Sequence, residues 1–112
     1  MDRPIPVVFF RLDSGREPVR EWLKSLDRGA RRSIGEDIKT LQFQWSVGMP
    51  LTRKMAEDLW EIRSQITAGI ARTFVTVYEG EFILLHGFVK KSRKTPAKEL
   101  AIAKRRLAKL KT

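Results

Sequence analysis

Apolar residues change their spacing along the chain, and these changes predict its secondary structure. The run from Ile5 to Leu12 is short and rich in β-branched and aromatic residues, which predicts a first strand. The next apolar residues recur three or four positions apart, which predicts two amphipathic helices. The first helix contains Val19, Trp22, Leu23 and Leu26, and the second contains Ile34, Ile38, Leu41 and Trp45.

Residues that favour helix ends flank both of these segments. Ser14-Gly15-Arg16-Glu17 predicts a capping box, with Pro18 in the first turn of the first helix. Asp27 is expected to cap the second helix, and Gly48 with Pro50 to end it. We expect the two helices to form a hairpin.

Strand-forming residues dominate the second half of the chain. Leu59 to Ile66, Ile70 to Tyr78 and Phe82 to Val89 predict three strands. Ala68-Gly69 and Glu79-Gly80 are candidate two-residue turns between them. The three strands then form an antiparallel meander. A last helix follows, with Thr95 as its cap and Pro96 in its first position.

The predicted order is therefore β-α-α-β-β-β-α, an α/β (α+β) fold in which the sheet packs on the N-terminal helical hairpin. A basic helix ends the chain. Its 112 residues are the size of one domain, so residues 1–112 are predicted to form a single domain.

Two-residue turns also predict which side chains share a face of the sheet. One face is apolar and is expected to pack on the helical hairpin: it carries Trp60, Ile62, Val75, Val77, Phe82, Leu84, His86 and Phe88. The opposite, open face carries Glu61, Arg63, Gln65, Arg72, Phe74, Tyr78, Leu85 and Gly87. A lone histidine on an apolar face is usually a packed, hydrogen-bonded group, and this is the first expectation for His86.

Arg63 and Arg72 are predicted to lie diagonally on neighbouring strands of the open face, within reach of one another. Two guanidinium groups so close suit a phosphate between them. Gly87 beside Arg72 would leave room for a ligand backbone. The alternative is that both arginines extend over an exposed sheet and pair with acids such as Glu61.

The net charge of +10 is concentrated at one end of the chain. Residues 86–112 contain ten Lys/Arg and one acid, a net +9, whereas residues 1–85 have a net +1. Such asymmetry indicates a polyanionic partner, although a solvated helix face is the alternative. Four cations directly follow the last predicted strand: Lys90, Lys91, Arg93 and Lys94.

Composition excludes several other classes of site. The chain has no cysteine and a single histidine, so we expect neither a metal site nor a cofactor. The longest apolar run, about Phe82 to Val89, is too short to cross a bilayer. Met1-Asp2-Arg3-Pro4 lacks the long apolar stretch of a signal peptide, so we expect no secretory signal. The expected location is the cytoplasm, with no membrane partner.

Several segments resemble HigB-like, phage-derived toxins of the RelE/ParE superfamily. They are Leu59-Trp60-Glu61-Ile62-Arg63, the strand residue Arg72, Leu84 to Lys91 running on through Lys94-Thr95-Pro96, and Glu99 to Arg106. The resemblance implies a RelE-like fold and a type II toxin–antitoxin toxin. Such a toxin is a metal-independent, ribosome-dependent endoribonuclease (mRNA interferase) that cuts mRNA in the A site, arresting translation and growth. It also implies a cognate antitoxin, commonly a helix-turn-helix DNA-binding protein, in a hetero-oligomer with the toxin.

Carried onto this chain, the resemblance assigns catalysis to the two strand arginines and to lysines after the last strand. Arg63 and Arg72 would clamp the scissile phosphate, with Lys90 or Lys91 as general base or second clamp. Further RNA contacts are expected from Arg93, Lys94, Lys98, Arg105 and Arg106. The chain departs from some relatives in ending Leu110-Lys111-Thr112, without a C-terminal tyrosine or histidine.

Other functions remain open at this point. A ParE-like gyrase inhibitor would need no phosphate clamp. A non-catalytic RNA-binding protein fits the weak acid–base equipment, although an open sheet face for RNA normally displays stacking aromatics at set spacing. A membrane-surface role fits poorly because the apolar stripe of the last helix has no Trp or Phe.

Overall fold

Three helices and five strands make up the parts of the chain, residues 3–45, 51–92 and 94–112, that a computed structural model describes. In chain order they are β1 (Val7–Phe9), α1 (Pro18–Ser25), α2 (Arg28–Phe43), β2 (Thr52–Ala56), β3 (Leu59–Ile66), β4 (Gly69–Tyr78), β5 (Glu81–Lys90) and α3 (Ala97–Lys111). The fold is a mixed α+β structure. The predicted order is wrong in one element, because it lacks β2.

All five strands form one sheet in the order β1-β5-β4-β3-β2. The predicted meander of β3, β4 and β5 is confirmed, but β1 pairs with β5 in parallel, so the sheet is mixed rather than antiparallel. Strand β2 is an edge strand with Arg53 and Lys54 exposed, and charged residues commonly protect such edges. Its low apolar content explains why the hydrophobic pattern does not reveal it.

Helices cover both faces of the sheet. On one face, Ile34, Ile38 and Leu41 of α2 pack with Ile62, Val75, Phe82 and Leu84, as predicted for the helical hairpin. On the other face, Ala103 and Leu107 of α3 pack with Phe74, Leu85 and Phe88. The expectation of an open face is therefore wrong, because the apolar stripe of α3 is buried against this face of the sheet.

The start of α1 differs from the prediction in its cap. The helix begins at Pro18, as expected, but Glu17 at the N-cap makes no side-chain capping bond. Ser14 is no capping residue, because it lies in a turn where Gly15 takes a φ of +92°. The amide of Gly15 donates to the Leu12 carbonyl across this turn, at 2.8 Å.

The cap of α2 is confirmed. The Asp27 carboxylate accepts a hydrogen bond from the backbone N–H of Ala30 at 2.8 Å. The helix ends at Phe43, and Trp45 beyond it packs edge-on against Trp60 and Phe82, each at 5.0 Å between ring centroids. Gly48 and Pro50 lie outside the described residues.

One of the two predicted turns is displaced by a residue. Thr67-Ala68, not Ala68-Gly69, joins β3 to β4, so Ile66 pairs with Gly69 and Arg63 lies directly opposite Arg72. This shift moves the pairing by two positions and therefore keeps both arginines on one face. The Glu79-Gly80 turn is confirmed, with φ values of +50° and +78° and Tyr78 paired with Glu81.

A β-bulge in β5 reverses the predicted faces of three residues. Val75 pairs with Leu84 but Phe74 pairs with His86, so Leu85 is the inserted residue. Beyond the bulge, His86 and Phe88 lie on the α3 side rather than on the hairpin side. Gly87 faces the hairpin, where a Cβ atom would lie 2.2 Å from Cε3 of Trp22. It therefore leaves no open position beside Arg72.

Candidate nucleic-acid interface

The Arg72 side chain lies inside the protein and not on an exposed surface. Its relative exposure is 0%, and its guanidinium stacks at 6.0 Å over the ring of Phe88. Nη1 donates to the hydroxyl of Thr95 at 3.0 Å, and Nη2 donates to the backbone carbonyl of Ser92. Through these hydrogen bonds, Arg72 attaches the segment after β5 to β4, the middle strand of the sheet.

Glu61 and Thr95 complete a chain of polar contacts with Arg72. The Thr95 hydroxyl donates to Oε2 of Glu61 at 2.6 Å while it accepts from Arg72. Oε1 of Glu61, which is fully buried, lies 3.7 Å from Nε of Arg63. The prediction that Thr95 caps α3 is therefore wrong, because Pro96 occupies the N-cap position and the Thr95 hydroxyl is used by Glu61 and Arg72.

The electrostatic setting of Arg72 follows from this burial. Burial lowers the pKa of the Arg72 guanidinium, the nearby carboxylate of Glu61 raises it, and the positive charges of Arg63 and Arg53 lower it further. An arginine keeps its proton under such conditions, since its ordinary pKa lies so high. The guanidinium of Arg72 is therefore a fixed positive charge inside the protein.

Arg53 is a residue of this surface that sequence reasoning missed. It pairs with Glu61 across β2 and β3, on the same face as Arg63, and its side chain is exposed. Its charge lowers the pKa of Arg72, so the two guanidinium groups are electrostatically coupled. Recognising β2 as a strand would have revealed it, because pairing with β3 places Arg53 on this face.

The basic segment, which we define as residues 90–95, carries its three described lysines on the outside. Lys90, Lys91 and Lys94 are exposed, and none pairs with an acid in the part of the chain that the structure describes. Arg93 lies outside the described residues. The Ser92 carbonyl and the Thr95 hydroxyl bind Arg72, which leaves the lysine side chains to face solvent.

The cations of α3 fall into two groups. Within the described ranges, Lys98, Lys104 and Arg105 are exposed and make no ion pair. Lys109 and Lys111 pair with Asp13 and Asp58 at 2.9 and 2.6 Å.

Arg106, expected to contact RNA, is partly buried. It donates to the Leu85 carbonyl at 2.8 Å. Burial, followed by the charge of Arg105, lowers the pKa of Arg106.

His86 is held between β5 and α3. Its Nε2 lies 2.7 Å from Oε1 of Glu99, and Nδ1 lies 3.4 Å from Nη1 of Arg106. Since arginine only donates, Nδ1 accepts and Nε2 carries the proton that bonds Glu99. The ring also stacks with Phe74 and Phe88 at 6.2 and 6.1 Å. The expectation of a packed, hydrogen-bonded histidine is confirmed, although on the opposite face.

Taken together, the basic segment presents exposed lysines above the buried polar contacts of Arg72, Thr95 and Glu61. Among residues 3–45, 51–92 and 94–112, no group of three His, Asp or Glu side chains could hold a metal ion. The helices within those ranges do not combine the length and apolar character needed to span a membrane. Such an arrangement can bind phosphate groups through charge and hydrogen bonding.

The fold and this surface define a small mixed α+β protein with a basic segment anchored on its sheet. The chain belongs to the family described as "Phage derived protein Gp49-like (DUF891)", whose model matches residues 21–108. This phage-derived family is associated with toxins of the RelE/HigB type. No curated protein matches the chain.

Proposed function

We propose that this protein is the toxin of a type II toxin–antitoxin system and that it cleaves mRNA in the A site of the ribosome. The observation that carries the proposal is the anchored basic segment in a member of a toxin-associated family. Exposed lysines on a fixed backbone can meet successive phosphates of an RNA strand at low entropic cost.

Metal-independent RNA cleavage needs few groups. The 2′-oxygen of a nucleotide forms a bond to the adjacent phosphorus, the bond from phosphorus to the 5′-oxygen breaks, and a proton moves from one oxygen to the other. In this proposal the neutral amine of Lys90 or Lys91 accepts the proton of the 2′-OH and passes it to the departing 5′-oxygen, and neighbouring cations stabilise the charge on the phosphorane. Lys94, Lys98 and Arg105 bind phosphates further along the strand, together with Arg93.

The two strand arginines have different places in this proposal. Arg63 keeps 14% of its side chain exposed and lies beside Glu61, so it can approach a phosphate at the edge of the surface. Arg72 supports the basic segment from below instead of touching RNA, since its guanidinium is buried. Arg106 likewise supports α3 through the Leu85 carbonyl.

A partner antitoxin forms part of the proposal. The net +9 of residues 86–112 favours an acidic protein segment, which would cover the lysines and exclude RNA. In this scheme the antitoxin is a helix-turn-helix DNA-binding protein, and the two chains form a hetero-oligomer.

A cleavage assay tests the proposal. Purified protein is mixed with an mRNA in EDTA, with and without translating ribosomes, and cut sites are mapped. A Lys90→Ala/Lys91→Ala double variant is compared with Lys24→Ala/Lys39→Ala, which removes two exposed lysines from α1 and α2. We expect ribosome-dependent cuts from the wild type and the control pair. The first double variant should lose about a hundredfold or more in rate, the lower end of the range for loss of acid–base groups.

Equal cutting by both double variants would contradict the assigned lysines, and equal cutting of free mRNA would contradict ribosome dependence.

A second candidate function is RNA binding without cleavage. It is favoured by the contacts of His86, the single histidine of the chain. Both of its ring nitrogens already face Glu99 and Arg106, so the imidazole is not placed to act as a general base on RNA. Salt-sensitive RNA binding with no cuts in either condition would establish that function instead.

A further inference from the structure

A polar network lies beneath the basic segment and joins three elements of the fold. Glu61 is on β3, Arg72 is on β4, and Thr95 lies just before α3. One hydroxyl connects the two charges, since Thr95 donates to Glu61 at 2.6 Å and accepts from Arg72 at 3.0 Å. The network therefore fixes where the chain crosses the sheet after β5.

Stability alone is a poor account of this network. Glu61 and Arg72 both have 0% exposure, and withdrawing two charges from water offsets much of their attraction. Within the described residues, Oε1 of Glu61 and Nε of Arg72 have no hydrogen-bond partner, which adds a cost for each buried atom. An apolar pair of similar size would avoid both costs.

The basic segment has a specific need for such an anchor. Lys90, Lys91 and Lys94, with Arg93 among them, lie within five positions and repel one another, so a free segment of this kind would extend away from the sheet. Among the described residues of the segment, the partners of Arg72 are the Ser92 carbonyl and the Thr95 hydroxyl. The anchor thus fixes the backbone and occupies none of the lysine side chains.

We infer that Thr95 and Glu61 are positioning residues for the basic segment: together they orient Arg72, and Arg72 holds the lysines as one phosphate-binding surface. The inference rests on the proposed function in one respect, namely that the ligand is RNA. Neither residue touches the RNA. Without the Thr95 hydroxyl, Arg72 loses one of its two partners among the described residues of the segment, and the lysines no longer meet the strand together.

Two variants of one position test the inference. Thr95→Val keeps the shape of the side chain but removes the hydroxyl, and Thr95→Ser restores it. Thr67→Val, in the exposed turn between β3 and β4, is the control for the substitution itself. Binding of a single-stranded oligoribonucleotide is measured over a range of salt concentrations. Trypsin cleavage after Lys90, Lys91 and Lys94 of the folded protein is measured alongside.

We expect Thr95→Val to weaken RNA binding by roughly tenfold, as loss of a hydrogen bond to a charged group would. The slope of log affinity against log salt should fall by about 0.7 for each phosphate that the variant no longer binds. Trypsin should cut the segment faster well below the melting temperature of the variant, which itself should fall because buried atoms of Glu61 and Arg72 lose their partner. Thr95→Ser and Thr67→Val should behave as the wild type. Glu61→Gln, which keeps the shape of the side chain but removes its charge, should reproduce the weaker binding.

Failure of the positioning role and failure of the proposed function give different results. If Thr95→Val binds RNA and resists trypsin as the wild type does, the positioning role is wrong whether or not the protein is a nuclease. If the wild type itself binds no RNA, the proposed function fails, and the RNA part of this inference fails with it. If Thr95→Val does not fold, Glu61→Gln provides the test. The positioning role is then wrong if Glu61→Gln binds RNA and resists trypsin as the wild type does.

Discussion

Gly87 lies where β5 passes beneath the indole ring of Trp22. A Cβ atom there would approach Cε3 and Cζ3 of Trp22 to 2.2 and 2.3 Å, which is far inside van der Waals contact. The ring is a broad, rigid group held between α1 and the sheet, so it cannot yield as the tip of a flexible side chain would. The absence of a side chain at position 87 is therefore a packing requirement.

Gly87→Ala is expected to lower the free energy of unfolding by about 1–3 kcal/mol, the usual cost of forcing extra volume into a packed interior. Gly35→Ala is the matched control, because a Cβ at this exposed position of α2 meets nothing within 4 Å. It should stabilise the protein by about 0.5–1 kcal/mol, since alanine loses less entropy than glycine in a helix. Urea denaturation measures the free energy of unfolding of both variants. If both were destabilised, the packing argument would be contradicted.

Single residues show how far sequence reasoning reaches at this site. Alternation along β3 and β4 correctly places Arg63 and Arg72 on one face, because a two-position shift of pairing preserves the face. It fails for His86 and Gly87, since the bulge at Leu85 reverses the alternation and no residue type marks it. The burial of Arg72 also escapes a strand-by-strand reading, because it depends on where Thr95 crosses the sheet.

The C-terminal helix is attached to the sheet at the bulge. Leu85, the inserted residue, turns its carbonyl toward Arg106 of α3, and Nη1 of Arg106 donates to it at 2.8 Å. Glu99, two turns earlier on α3, contacts the next residue of β5, His86, at 2.7 Å. The irregularity in the strand thus supplies the polar attachment points for the helix.

Arg106→Ala should lower the free energy of unfolding by about 1–3 kcal/mol, because a buried carbonyl would lose its charged donor. Arg105→Ala removes the same side chain from the exposed neighbouring position and should change stability by less than about 0.5 kcal/mol. Equilibrium denaturation of the two variants side by side provides the measurement. Equal effects would mean that the hydrogen bond to the Leu85 carbonyl contributes nothing.

Elements with strong apolar periodicity could be predicted, and those governed by distant pairing could not. β3 and the start of α1 agree with the sequence pattern because local residues specify them. β2 has too few apolar residues to be seen, and its strand character comes from pairing with β3. The packing of α3 on the sheet depends on tertiary structure. The sequence periodicity predicts that α3 has an apolar stripe, but it does not predict which surface this stripe contacts.

The net positive charge of the molecule is concentrated in residues 86–112, and acids compensate only part of it there. The cations of α3 differ in this respect: Lys109 and Lys111 have acids at 2.9 and 2.6 Å, whereas Lys98, Lys104 and Arg105 have none among the described residues. The uncompensated group should therefore dominate attraction of a polyanion, since paired charges produce little field at a distance.

We predict that replacing Lys98, Lys104 and Arg105 together by Gln will lower the salt slope of single-stranded RNA binding by roughly 2, if each binds one phosphate. Lys109→Gln/Lys111→Gln is the matched variant on the same helix and should change the slope by less than about 0.7, the value for one phosphate. Affinity measured at several salt concentrations decides between them. Similar slopes for both variants would show that total charge, not its placement, governs binding.

The parallel pairing of β1 with β5 has a consequence for synthesis of the chain. Val7 pairs with Phe82, so β1 leaves the ribosome long before β5, the strand beside which it lies. Contacts between such distant segments form late, because closing the intervening loop costs entropy before any pairing repays it. The basic segment follows β5 directly and is anchored on strands of the same sheet. A nascent chain thus lacks this assembled surface until β5 and the basic segment have both left the ribosome.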